Sequence, residues 1–146
     1  MNIRPVESGD RSEWLRIRSD FWPDHASTHA GEIDRFFAGT LEEPAAVLVA
    51  DIGEKLIGLV ELSIRPYAEG CSTNRVGYLE GWYVDSEHRG LGIGRSLLAA
   101  SEAWAREQGC TEFASDTTID NELSRQVHLA CGFKDAGLIR CFRKTL

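Results

Sequence analysis

The stretch EHRGLGIGRSLLAA (residues 87–100) sets Gly90, Gly92 and Gly94 at alternate positions between Arg89 and Arg95, directly ahead of a helical pattern. Glycine lets a backbone approach a ligand closely, and a helix N-terminus adds unpaired N–H groups and positive potential. The chemistry this suits is the holding of a phosphate or pyrophosphate. Spacing excludes the two commonest loops of that kind. A Walker loop ending at Gly94 needs glycine at 89 and lysine at 95, where Arg89 and Arg95 stand. A dinucleotide loop begun at Gly90 or Gly92 needs a small residue at 95 or 97, where Arg95 and Leu97 stand.

Two carboxylates add a second kind of chemistry. Glu80 lies inside the apolar run YLEGWYV (residues 78–84), where a charge is costly to bury without a cationic partner. Its alternatives are a solvent-facing position or an internal salt bridge. Asp116 ends the run EFASD, and open α/β sheets place ligand-contacting groups at strand ends. Its alternative is to cap or turn the loop that follows. With a formal charge of −7, the pair fits a cationic partner and argues against nucleic acid. Trp22, His25 and Tyr67 offer flat faces and polar edges of the kind that suit a sugar ring.

These side chains need a scaffold, and hydrophobic periodicity outlines one. A strand is predicted at Met1–Pro5, then a helix from about Arg11 with Asp10 as cap and Trp14, Ile17 and Phe21 as its apolar stripe. A second helix is expected around His29–Thr40. Ala45–Ile52 and Lys55–Arg65 flank a Gly53-Glu54 turn, a hairpin signal, and Gly77–Val84 is a third long strand. A helix over Gly92–Gln108 should bury Ile93, Leu97, Ala100 and Trp104 and stop at Gly109. EFASDT, Asn121–Cys131 and LIRCFRK then read as strand, helix and closing strand. The expected fold is α/β (α+β): a single domain over residues 1–146 with one mixed, mostly antiparallel sheet, helices on both faces and a β-α-β unit.

Composition excludes several classes. No apolar run approaches the roughly 20 residues of a membrane helix. The N-terminus lacks the apolar core of a signal peptide, so a cytoplasmic protein is expected. Cys71, Cys110, Cys131 and Cys141 include no C-x-x-C pair, which reads as free thiols and no metal.

RGLGIG (residues 89–94), after a strand ending in Tyr-Val and before an amphipathic helix, resembles the R/Q-x-x-G-x-G/A signature of the GCN5-related N-acetyltransferases (GNAT superfamily). NELS (residues 121–124), followed by His128 and Gly132-Phe133, resembles the second half of that family's cofactor site. WPDH, LEGWYV, GCTEFASDT and DNELS look most like the aminoglycoside 6'-N-acetyltransferases, which acetylate a primary amine of a polycationic antibiotic. The resemblance implies that the acetyl-CoA pyrophosphate lies on Arg89, Gly90, Leu91, Gly92, Ile93, Gly94 and Arg95. It implies a pantetheine arm along the backbone of Trp82, Tyr83 and Val84 and against Asn121, which also reads as a helix cap. It makes Trp22, His25, Tyr67, Glu80 and Asp116 ligands of the antibiotic, and it implies a homodimer.

Amine acetylation sets its own demands. An alkylamine with a pKa of about 10 is only about one part in a thousand neutral at pH 7. The site must bind the ammonium, help it lose a proton and stabilise an oxyanion. Glu80 or Asp116 can serve as base, the Val84 N–H as polariser of the thioester carbonyl. His128 stands where many acetyltransferases carry an acidic tyrosine, and it either donates a proton or fills the helix face. Some relatives carry an acidic residue where this chain has Ala136-Gly137, with Asp135 slightly earlier. Two other readings share parts of this pattern: acetylation of a different amine (polyamine, small amine or protein N-terminus), and a non-catalytic acetyl-CoA-binding module.

Overall fold

Strict alternation along β2 (Ala46–Asp51) sends Val47 and Val49 to one side of a sheet and Leu48 and Ala50 to the other. Both sides must then be covered, and the computed structural model, which describes residues 1–146, shows how. Trp14 and Ile17 of α1 (Arg11–Phe21) and Ile33 of α2 (Ala26–Phe37) close over Val47, Val49, Leu56 and Leu59. Ile93, Leu97 and Leu98 of α3 (Ile93–Glu107) close over Leu48, Ala50, Ile57, Val60, Leu62 and Leu79 on the opposite face. Phe133, just beyond α4 (Glu122–Ala130), packs on this second cluster.

The sheet runs β1-β2-β3-β4-β5, with β1 at Asn2–Pro5, β3 at Leu56–Arg65, β4 at Val76–Val84 and β5 at Glu112–Ser115. All neighbours are antiparallel except β4 and β5, which are joined by α3 in the expected β-α-β unit. Two irregularities make the site. Glu61 pairs with Gly81 and Leu62 with Leu79, so Glu80 is an extra residue, a bulge on β4. The bulge reverses the side-chain alternation and puts Leu79 and Trp82, three residues apart, against the same face. The pairing of β5 ends at Leu79 with Ser115. From Glu80 to Val84, β4 therefore has a neighbour on the β3 side alone, and its other edge opens a cleft.

Several expectations need correction. LIRCFRK forms no strand: residues 134–146 carry no regular structure, and Leu138, Ile139 and Phe142 are exposed. The run has the residues of a strand but pairs with no neighbour, and the outer edge of β5 stays open. Asp10 does not cap α1; it accepts from the Glu7 amide and from Arg4, closing the turn before the helix. Phe21 is exposed rather than part of the stripe. In α3 the buried set is Ile93, Leu97, Leu98, Ser101 and Ala105, with Ala100 and Trp104 only half-buried. α2 begins at Ala26, because the turn at Pro23–His25 leads straight into it.

Candidate active site

The cleft beside the free edge of β4 is a cavity of about 570 Å³. Peptide groups along a strand alternate in direction. The Asp85 amide donates to the Ile57 carbonyl, so the Val84 N–H and C=O point away from β3 and into the cleft. The Val84 carbonyl is taken by Arg89, whose Nε donates to it at 3.0 Å. The Val84 N–H remains aimed at the cleft.

The glycine turn forms one end of this cavity. Gly90 and Gly92 have φ of 78° and 84°, the left-handed region that favours glycine. No atom lies within 4 Å of where a side chain would begin on either, so the turn is an open cradle. Gly92 caps α3, and the first bond of the helix runs from the Ser96 amide to the Gly92 carbonyl. The amides of Ile93, Gly94 and Arg95 thus have no partner inside the helix. This set of donors fits a pyrophosphate. Arg89, Gly90, Gly92, Ile93 and Gly94 line the cavity with Trp82, Tyr83, Val84 and Asn121. Leu91 and Arg95 do not; Leu91 is exposed, and Arg95 donates to the Ala130 carbonyl at the end of α4. Asn121 Oδ1 accepts from the Ser124 amide at 3.1 Å, the expected cap of α4.

The other end of the cavity holds the carboxylates. Arg65 grips Glu80 with both arms, Nε to Oε1 at 2.9 Å and Nη2 to Oε2 at 2.7 Å. The guanidinium lies 3.6 Å from the centre of the Tyr78 ring, and the Tyr78 hydroxyl donates to Asp116 Oδ2 at 2.8 Å. Burial is the main reason the Tyr78 hydroxyl is pushed well above its ordinary range, and Asp116 reinforces it as acceptor, so the donor stays protonated. Glu80, Asp116, Arg65 and Tyr78 are one network. Glu80 makes an internal salt bridge and lines the cavity at the same time. A second cavity of about 750 Å³ adjoins the first, with Arg65 on its wall and Asp116 shared between them.

His128 faces the cleft from α4. Its Nδ1 lies 2.7 Å from the Ser124 carbonyl, which only accepts, so Nδ1 carries a hydrogen. Its Nε2 lies 2.9 Å from the Ser115 hydroxyl, which is also 3.2 Å from the Leu79 carbonyl. That hydroxyl has one hydrogen and two claimants, so it can turn toward His128 or away from it. Trp82 and Phe133 wall the imidazole, with ring centroids 5.3 and 5.0 Å away.

Trp22, His25 and Tyr67 do not line either cavity. Trp22 is half-buried, with its indole edge over Gly81, where an added Cβ would come within 2.7 Å of it. His25 and Tyr67 are exposed. The cavity wall beside Trp22 is built by Asp20 and Phe21 instead. Asp135 accepts from the Gly137 amide at 2.9 Å and lies 3.7 Å from Arg125. No group of three His, Cys, Asp or Glu side chains able to hold a metal is present. Sequence reading missed Arg65, Tyr78 and Ser115. The only signals for them were a charged residue ending a long apolar strand and a hydroxyl beside Asp116.

The profile described as Acetyltransferase (GNAT) family matches residues 11–133. An aminoglycoside N(6')-acetyltransferase type 1 of Klebsiella aerogenes is 51% identical over 99% of this chain and 96% of its own length. A protein of the same description from Acinetobacter haemolyticus is 36% identical over 100% and 99%. Among solved structures, the ligand-free aminoglycoside antibiotic 6'-N-acetyltransferase AAC(6')-IG of Acinetobacter haemolyticus superposes with a TM-score of 0.91 at 35% identity, covering 100% of this chain and 99% of that one. AAC(6')-Iy in complex with the bisubstrate analogue CoA-S-monomethyl-acetylneamine superposes with a TM-score of 0.90 at 31% identity over 99% and 98%.

Proposed function

The chain belongs to the acetyltransferase (GNAT) family, and from that premise we propose that it transfers the acetyl group of acetyl-CoA to the 6'-amine of aminoglycoside antibiotics, an activity that confers resistance. The observation that carries this is one continuous cleft with an open anion cradle at the glycine turn and two carboxylates, Glu80 and Asp116, at the other end.

In this reading the amides of the glycine turn and α3 take the pyrophosphate, and Arg89 and Arg95 add positive charge outside it. The free edge of β4 at Trp82–Val84 pairs with the pantetheine arm, with Asn121 beside it. That brings the thioester carbonyl to the Val84 N–H, which polarises it. Glu80 and Asp116 hold the ammonium end of the aminosugar, and one of them receives its proton, directly or through water. The amine then attacks the thioester in a ternary complex. His128 in its imidazolium form, with Nε2 protonated as well as Nδ1, delivers a proton to the departing thiolate through Ser115. The hydroxyl gives its hydrogen to sulfur as it receives one from Nε2, leaving the neutral imidazole. Trp22, His25 and Tyr67 remain proposed contacts to the sugar rings.

The proposed assembly is a homodimer. β5 is the last strand of the sheet and has an unpaired outer edge, and the exposed Leu138, Ile139 and Phe142 are apolar side chains that a second copy would cover. The cytoplasm, where acetyl-CoA is made, is the proposed compartment; no helix is long and apolar enough to cross a membrane.

The test is thiol release from acetyl-CoA with kanamycin A, with its 6'-hydroxyl analogue, and with spermidine. Turnover with kanamycin A alone is expected. Equal turnover of the hydroxyl analogue would move the acetylated amine elsewhere, and turnover of spermidine alone would replace the antibiotic by a polyamine.

A further inference from the structure

Both oxygens of Glu80 are occupied before any substrate arrives. Arg65 opposes Val76 across the β3–β4 pair, and its side chain runs over Tyr78 to reach Glu80. A planar guanidinium on a carboxylate pair and an aromatic face is a satisfied cation. It holds the place that a substrate ammonium needs. The pair is not sealed: the Arg65 side chain is 37% exposed and that of Glu80 is 23%. Arg65 is the last residue of β3, so its side chain has solvent to swing into when displaced. Asp116 is different. It accepts one neutral hydroxyl, is exposed, and keeps an oxygen free of protein partners.

We propose that Arg65 is an internal counter-ion that the acceptor must displace from Glu80, and that it thereby holds down the affinity of the site for every amine. The inference rests on the aminoglycoside reading above. A monocation that takes Glu80 from Arg65 only exchanges one ion pair for another. A polycation takes Glu80 with one ammonium while a second ammonium gains Asp116, and this second interaction has no competitor in the empty site. Arg65 thus acts through Glu80 on acceptor binding, without touching the reacting atoms, and the advantage of a polycation comes from Asp116.

The experiment compares kcat/KM for kanamycin A and for 6-amino-6-deoxyglucose, a sugar with one amine, in the wild type, Arg65→Met and Arg65→Lys. Arg65→Met is expected to raise kcat/KM roughly fivefold for both amines, the scale of one half-exposed ion pair, and to leave their ratio unchanged. Arg65→Lys keeps the charge and is expected to stay near the wild type with both amines. An unchanged or lowered kcat/KM with both amines in Arg65→Met overturns the proposal, and so does a lysine variant that behaves like the methionine one. A wild-type measurement covers the case in which Arg65→Met does not fold. The Arg65 Nε–H resonance, assigned by its loss in Arg65→Lys, should shift as kanamycin A saturates the enzyme; a resonance that stays in place overturns the proposal. Wild-type enzyme inert toward kanamycin A would instead overturn the aminoglycoside reading, a result visible before any variant is made.

Discussion

Two glutamates on adjacent strands, Glu61 of β3 and Glu80 of β4, are each gripped by an arginine through two hydrogen bonds, and they serve opposite ends. Arg18 holds Glu61 at 2.7 and 2.9 Å, Trp14 donates to the same carboxylate at 2.8 Å, and Glu32 takes the remaining arm of Arg18. Those side chains are 4% and 6% exposed. Each nitrogen of Arg18 and each oxygen of Glu61 has a partner within the protein, and the pair bolts α1 to the sheet. Arg65 and Glu80 have the same chemistry and the same bidentate geometry, but they stand at the wall of a cleft. Burial, rather than residue type, decides which pair is scaffold and which is site.

The comparison can be broken most sharply at the sealed pair. Arg18→Met strands a buried carboxylate and is expected to cost about 3–5 kcal/mol in urea unfolding, whereas Arg65→Met should cost about 1 kcal/mol or less. Equal costs would mean that both pairs are scaffold. Next in size is the effect of Glu80→Gln on catalysis. It should reduce kcat/KM for kanamycin A about a hundredfold or more while moving Tm by no more than about 4 °C. A variant that simply unfolds would move Glu80 into the structural class with Glu61.

Gly81 stands between the two, paired with Glu61 and next to Glu80 in the chain. A Cβ there meets the Trp22 indole at 2.7 Å. Gly81→Ala is expected to cost about 1–3 kcal/mol through overpacking. It should also raise KM for kanamycin A by displacing Trp22; an unchanged KM would remove Trp22 from the proposed contacts. The smallest effect is at Asp85, another sealed carboxylate. Burial opposes its ionisation, but Lys55, Tyr83 and Arg16 outweigh burial and hold it below its ordinary 3.8. Because the folded value is depressed, its stabilisation is complete above 3.8 and fades as pH falls through the lower folded value. Asp85→Asn should therefore flatten the acid side of the Tm–pH curve. A curve of unchanged slope would show that Lys55 and Arg16 contribute nothing there.

What was readable from sequence has one physical basis: interactions that repeat at short range. Val47 to Ala50 alternate because strand side chains do, Ile93 and Leu97 share a helix face, Asn121 caps α4 three residues ahead of Ser124, and the glycines of the turn need no partner at all. The elements, the β-α-β order and most of the cleft's lining follow from these. The acceptor end was legible only as residue types, because its geometry comes from contacts between distant strands. Tyr78 and Asp116 are 38 residues apart, and Arg65 and Glu80 are 15. The free terminal run misled for the same reason: LIRCFRK has the pattern of a strand, but a strand also needs a pairing partner, and the open edge of β5 does not take it up.

By itself, then, the sequence determined most of the elements, the glycine turn and the presence of acidic groups near a strand end. The tertiary structure alone decided that Glu80 is a bulge, that β4 loses its neighbour just where the cleft begins, and that Arg65 and Ser115 belong to the site. The reason is that a bulge and a strand's last pairing are properties of register between two chain segments. Hydrophobic period within either segment carries no record of them.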